Sequence, residues 1–301
     1  MAVTVEKLIS DFGLQVLVEG KENVNISVND INRPGLQFSG FYNYFAPERI
    51  QVIGKAEWSF LEDMQVELRR KRGKKYFNFD INCVIISRGL EPHAQFIKEA
   101  KEKKVWVLRS EMVTTKFISK LTMYLADKLA PETRLHGVLM DVYGIGILIT
   151  GESGIGKSET ALELIKRGHR LVTDDAVDIK EVDGILRGTS PKITLGMLEV
   201  RGIGIIDISS LYGLSSILQS KDINLIMHFE HWKDDGDYDR LGVDNETQEI
   251  LGIPVRRLRV PVRPGRNIAV IIEAAAGNYR HSLMSDVSPV DIIEQRMSEI
   301  Y

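Results

Sequence analysis

Eight consecutive residues carry the clearest chemistry in this chain: Gly151-Glu152-Ser153-Gly154-Ile155-Gly156-Lys157-Ser158. Their spacing is G-x-x-x-x-G-K-[ST], the pattern of a phosphate-binding loop. Glycines there let backbone N–H groups converge on phosphate oxygens, and a following helix N-terminus adds a favourable dipole. Lys157 is expected to reach β- and γ-phosphates and Ser158 to hold Mg²⁺, which makes this a nucleotide site.

Other groups surround that loop in the sequence. Thr173-Asp174-Asp175 follows it closely, at the end of an apolar segment. Adjacent carboxylates on a strand point to opposite sides. One can face a metal and the other a reacting hydroxyl, or one can cap a turn. Further on, Leu198-Glu199-Val200-Arg201-Gly202-Ile203-Gly204-Ile205-Ile206-Asp207 is a glycine-bearing strand and turn. Glu199 and Asp207 are its candidate ligands for a hard divalent cation. Glu230, after Leu225-Ile226-Met227-His228-Phe229, is the alternative acidic residue for an ordinary phosphate-loop ATPase, and the sequence does not order these choices. The acidic run 234–239 lacks the EF-hand pattern and reads as a solvated loop, with Arg240 just beyond it. Arginines crowd residues 254–266, where prolines stiffen a turn flanked by Arg263 and Arg266; such a loop suits an anion. His136 stands alone before the strand that leads into the phosphate loop.

These residues need a strand, a glycine loop and a helix in that order. Ile145, Ile147, Leu148 and Ile149 give a strand-length apolar run. Residues 159–167 follow with helical spacing, Ala161, Leu162, Leu164 and Ile165 forming the apolar side and Gly168 the stop. Beyond the loop the chain turns β-rich, with strands expected at 170–173, 176–180, 198–201, 204–208, 224–229 and 268–272. A competing reading makes 271–278 helical, and a terminal helix is expected from Ser288, with Pro289 in its first turn. Before the loop, helices are expected at 5–12, 57–69, 92–101 and 114–128, and strands at 15–19, 50–54, 83–87 and 105–109. That alternation predicts a small α/β domain with a largely parallel sheet. The basic run 69–75 reads as a solvated loop between elements. Leu129-Ala130-Pro131-Glu132-Thr133 is the expected boundary between residues 1–130 and 131–301.

The composition bounds the alternatives. With 301 residues, 44% hydrophobic and 27% charged, the chain is long enough for two globular domains. A formal net charge of −3 gives no reason to expect nucleic acid or an anionic membrane as the main partner. The one cysteine, Cys83, lies in an apolar run and reads as a buried core thiol in a reducing cytoplasm. The amino terminus is amphipathic without a signal-peptide apolar block, and no apolar stretch approaches the length of a membrane span, so a soluble cytoplasmic protein is expected.

Taken together, RLHGVLMDVYGIGILITGESGIGKSETALELIKRGHRLVTDD, LEVRGIGIIDI, DYDRLG and PVRPGR, in this order, resemble the bacterial HPr kinase/phosphorylase family. The likeness spans essentially the whole chain and is most specific over 134–266. It implies an accessory α/β domain followed by a phosphate-loop catalytic domain that is similar to phosphoenolpyruvate carboxykinase around the loop. It implies a bifunctional enzyme of carbon catabolite regulation. This enzyme phosphorylates a serine of HPr, the small phosphocarrier of the sugar phosphotransferase system, using ATP or pyrophosphate. In reverse, inorganic phosphate removes the phosphoryl group and yields pyrophosphate. A homohexamer is also implied. By the same resemblance Gly151 to Ser158 bind the donor phosphates, Ser158 and Glu199 bind Mg²⁺, and Asp175 is the general base with Asp174 beside it. His136, Lys157 and Arg240 match further active-site positions. Arg201, Gly202, Gly204 and Asp207 belong to a signature used in both directions, and Arg263 and Arg266 to a segment linked to dephosphorylation. The competing readings are a phosphate-loop ATPase switch using Glu230 and a nucleotide-sensing module. A guanine-specific N-K-x-D motif is absent.

Overall fold

Strands of four residues that are buried throughout, such as Ile50–Ile53 and Cys83–Ile86, need cover on both faces. The computed structural model, which describes residues 3–232, 246–285 and 289–300, provides it. The chain forms two compact units, Met1–Ala130 and Pro131–Tyr301. The first unit runs Val3–Thr4 (β1), Val5–Phe12 (α1), Gln15–Val18 (β2), Asn25–Ile26 (β3), Ile31–Asn32 (β4), Gly35–Ser39 (α2) and Ile50–Ile53 (β5). It continues through Lys55–Glu62 (α3), Val66–Tyr76 (α4), Cys83–Ile86 (β6), Ala94–Lys103 (α5), Trp106–Arg109 (β7) and Thr114–Leu129 (α6). The main sheet has the order β2-β7-β6-β5-β4, parallel except for β2 at the edge. Val5, Leu8, Phe117, Leu121 and Leu125 cover one face, and Phe38, Leu61, Tyr76, Phe77 and Phe96 the other. Cys83 is fully buried, and that burial pushes its thiol up to about 12.

Two expectations fail in this unit. The helix expected over 57–69 is two helices, α3 and α4, because the backbone leaves the helical region at Gln65, whose ψ of 139° starts α4 in a new direction. The basic run 69–75 is not a loop but most of α4. Arg69, Gly73, Tyr76 and Phe77 share a helical face, the last three of them buried, while Lys74 and Lys75 sit favourably in the last turn. The Lys75 ammonium lies 4.6 Å from the Tyr42 ring centre, so its stem covers apolar surface.

The second unit runs Glu132–His136 (β8), Val138–Val142 (β9), Ile145–Gly151 (β10), Lys157–Lys166 (α7), Arg170–Thr173 (β11), Ala176–Val182 (β12) and Ile185–Thr189 (β13). Then come Met197–Val200 (β14), Gly204–Asp207 (β15), Ile208–Tyr212 (α8), Ser220–Asp222 (β16) and Leu225–His231 (β17). Thr247–Ile250 (β18), Ile253–Val262 (β19), Ile268–Ser282 (α9) and Pro289–Ile300 (α10) complete it. A sheet of order β11-β9-β10-β17-β19-β18 has β10, β17 and β19 parallel at its centre. Ala161, Leu164, Ile165, Ile268, Ile272 and Ala276 bring α7 and α9 onto one face. On the other, Leu139, Leu148 and Ile226 meet Val177, Ile179 and Leu186 from the sheet β16-β13-β12-β8.

The strand expected at 268–272 is the start of α9. Asn267 caps that helix, its side-chain oxygen accepting the Val270 N–H at 3.2 Å, and Ile268, Ile272 and Ala276 recur every fourth residue on the core side. The cap expected of Ser288 lies outside the described residues.

Candidate active site

The phosphate loop joins β10 to α7, and the neighbouring strand fixes its start. Gly151 pairs with Phe229 on β17, and a Cβ on Gly151 would lie 2.6 Å from the Phe229 carbonyl oxygen. Gly154 has φ +85°, a left-handed conformation that glycine adopts without strain, and the Arg201 guanidinium occupies the space where a Cβ would stand. Arg201 also donates to Ser153 Oγ at 3.1 Å, and buried Ile155 anchors the loop on the core. The Lys157 ammonium donates to the carbonyl oxygens of Gly151 and Glu152, at 2.9 and 2.8 Å, which holds the charge inside the loop.

The adjacent aspartates divide. Asp174 is buried, its carboxylate accepting the Ser158 hydroxyl proton at 3.0 and 3.1 Å and the Glu199 N–H at 3.0 Å. Burial raises its pKa above the ordinary carboxylate value, opposed by the Glu199 N–H and the Ser158 hydroxyl. Asp175 has φ +67°, and its carbonyl accepts the Gly137 N–H at 3.0 Å. That turn aims its side chain outward, 79% exposed, with its oxygen 3.6 Å from His136 Nδ1. Antiparallel pairing of β12 with β8, Ala176 opposite His136, brings these two residues together.

A cleft of about 110 Å³ results, lined by Ser153, Gly154, Gly156, Lys157, Ser158, Glu159, Asp174, Asp175, Glu199 and Arg201. Glu159 is a lining residue that sequence reasoning passed over as helix; its acidic place in the first turn of α7 was the available signal. Glu230 is not among the lining residues. Gly202 and Gly204, with φ of +86° and +94°, shape the β14–β15 turn outside the cleft.

Asp207 does not join Glu199. The hairpin sets Glu199 opposite Ile205 and Asp207 opposite Met197. Asp207 instead caps α8, accepting the Ser209 and Ser210 hydroxyls and the Ser210 N–H, which hold its carboxyl at about 2. Arg263 and Arg266 also lie outside the cleft lining. Arg263 is 4.5 Å from the Trp232 ring centre, and Arg266 Nη1 donates to the Pro261 carbonyl at 2.8 Å. Arg240 and the acidic run 234–239 lie outside the described residues.

Among the described residues no three His, Cys, Asp or Glu side chains form a metal cluster of their own. The donors at the loop are the Ser158 hydroxyl and the carboxylates of Asp174 and Glu199. These hard oxygens fit Mg²⁺, which takes one or two protein carboxylates and completes its shell with water and phosphate.

A glycine loop between a central parallel strand and a helix, with a serine–aspartate pair at the helix start, is the arrangement that the phosphate-binding motif requires. Residues 127–297 match the family model described as HPr Serine kinase C-terminal domain, and residues 3–125 the one described as HPr Serine kinase N terminus. The chain belongs to the HPr serine kinase family. It is 77% identical over 300 residues to an HPr kinase/phosphorylase of Clostridium botulinum (strain Alaska E43 / Type E3), covering 100% of this chain and 99% of the relative. It is 75% identical over 299 residues to an HPr kinase/phosphorylase of Clostridium perfringens (strain SM101 / Type A), covering 99% and 97% of the two chains. The solved HPr(Ser) kinase/phosphatase from Coxiella burnetii is 34% identical, with a TM-score of 0.48 over 50% of this chain and 93% of that one. Among the described residues no helix is long and apolar enough to cross a membrane.

Proposed function

We propose that this chain phosphorylates a serine of HPr, with ATP or pyrophosphate as donor. In reverse it removes the phosphoryl group with inorganic phosphate, yielding pyrophosphate. The observation that carries this reading is the opposed placement of two neighbouring carboxylates. Asp174 faces Ser158 inside the cleft, while Asp175 stands exposed beside His136. An acceptor hydroxyl on a second protein arrives from outside, and Asp175 is the carboxylate that can meet it.

In the forward direction the serine oxygen attacks the γ-phosphorus, the bond to the bridging oxygen breaks, and Asp175 takes the serine proton. Loop N–H groups and Lys157 hold the phosphates; Arg240 shares the developing charge by family resemblance. Asp174 accepts the Ser158 proton and leaves that oxygen's lone pairs available. Ser158 and Glu199 would then hold Mg²⁺, which when bound neutralises charge on the phosphate oxygens. In reverse, phosphate held in the loop attacks the phosphoserine phosphorus, and protonated Asp175 returns its proton to the leaving serine oxygen. Arg263 and Arg266 would line the anion site, and the hairpin carrying Glu199, Arg201, Gly202, Gly204 and Asp207 would serve both directions. On this reading residues 131–301 do the chemistry, residues 1–130 are accessory, and the working form is a cytoplasmic homohexamer.

The test is incubation with γ-labelled ATP, Mg²⁺ and purified HPr, where label is expected on a serine of HPr. Label released only as free phosphate, with or without HPr, would instead show an ATPase. ATP binding without turnover would show a sensing module.

A further inference from the structure

Thr150, the residue before the phosphate loop, is held from two sides. Strands β10 and β17 run parallel with Thr150 opposite His228, and Thr150 Oγ1 lies 3.0 Å from His228 Nδ1. On the other side stands Gly137, where a Cβ would be 3.5 Å from Thr150 Cγ2 and 2.6 Å from the Ile149 carbonyl oxygen. Gly137 follows His136 and donates its N–H to the Asp175 carbonyl. Thr150 therefore lies between the two halves of the site. Its backbone continues into Gly151 and the loop, and its methyl group faces Gly137, in the turn that carries His136 and pins Asp175, across a space that a Cβ would fill.

His228 is itself confined. On β19, Arg257 and Arg259 stand opposite Ile226 and His228, and Glu246 pairs with both arginines at 2.8 and 3.3 Å. Burial, then the Arg257 charge, lower the imidazole's pKa, against the pull of Glu230, Glu246 and Glu152. That lowering favours the neutral ring. A neutral ring can accept the Thr150 proton at Nδ1 or donate Nδ1–H to the Thr150 oxygen, and either bond fixes the same rotamer.

We propose that His228 is a positioning residue, whose hydrogen bond to Thr150 locks the joint between the phosphate loop and the His136–Asp175 turn. It acts through Thr150 and touches no reacting atom. The proposal rests on the reading of this site as a serine-directed phosphotransferase. Small misalignments between donor and base are costly in rate, so the bond's removal is read in kcat.

Three substitutions test it in the HPr phosphorylation assay. His228→Phe removes both ring nitrogens at similar volume, Thr150→Val removes the hydroxyl, and His228→Asn keeps a polar atom near the Nδ1 position. His228→Phe and Thr150→Val are each expected to lower kcat by about tenfold or more, with KM for ATP changed by less than about threefold. The double variant should be no slower than the slower single variant, because both remove one bond. His228→Asn should recover most of the rate. Wild-type kcat in folded His228→Phe, equal losses in His228→Asn and His228→Phe, or additive losses in the double variant would overturn the proposal. If His228→Phe does not fold, wild-type kcat in Thr150→Val overturns it. A wild-type protein that fails to phosphorylate HPr would count against the proposed function instead.

Discussion

Lys157→Ala is expected to abolish phosphorylation of HPr and the reverse reaction together, each by roughly 10³-fold or more. The ammonium lies within hydrogen-bond reach of the Gly151 and Glu152 carbonyls, at the centre of the loop that both directions must use. Lys157 also opens α7, and alanine is the strongest helix former, so the helix should survive the change. Far-UV circular dichroism and the thermal midpoint check the fold, and rates of HPr phosphorylation and dephosphorylation check the chemistry. Near-native phosphorylation by a folded Lys157→Ala protein would remove the nucleotide site from the loop. Loss in one direction only would mean that the two reactions do not share it.

Asp175→Asn should lower turnover by about 10²–10⁴ while leaving ATP and Mg²⁺ binding near normal. Asparagine is nearly isosteric with aspartate but cannot take the serine proton. Asparagine also tolerates the left-handed backbone that this position adopts at φ +67°. Asp174→Asn makes the contrasting case. Asp174 accepts the Ser158 hydroxyl and the Glu199 N–H, so its change should weaken Mg²⁺-dependent ATP binding as well as turnover. Turnover little changed in Asp175→Asn, with ATP affinity collapsed, would reverse the two assignments and make Asp174 the base.

How much of this could be read from the sequence depended on distance along the chain. The loop, its strand and its helix are contiguous, so their periodicities and glycines are enough to define them. Strand alternation predicts opposed directions for Asp174 and Asp175, but the two sit in the turn between β11 and β12. There the left-handed backbone of Asp175 sets its direction, and neither that turn nor their partners could be read from spacing. Glu199 reaches Asp174 across 25 residues and His228 reaches Thr150 across 78, and no spacing rule spans such separations. Strands β8 and β13 escaped notice because they mix exposed polar residues with few apolar ones. The arginine-rich α4 read as loop because only Gly73 and Tyr76 within it are buried, too few for an apolar stripe to stand out. Residues 268–272 read as strand because isoleucine and valine favour strands, and the core contacts of Ile268, Ile272 and Ala276 override that preference.

One measurement reaches the central claim directly: pyrophosphate formed from seryl-phosphorylated HPr, with and without added inorganic phosphate. A loop that can hold pyrophosphate as donor must release pyrophosphate when the reaction runs backwards. Phosphate would sit where the β-phosphate sits in the forward direction, and Asp175 would return the proton to serine. The account predicts dephosphorylation that requires phosphate and yields one pyrophosphate for each serine freed. Arg266→Ala should slow this direction more than the forward one. Phosphate-independent release of the phosphoryl group, with no pyrophosphate formed, would contradict the account and leave a plain hydrolase.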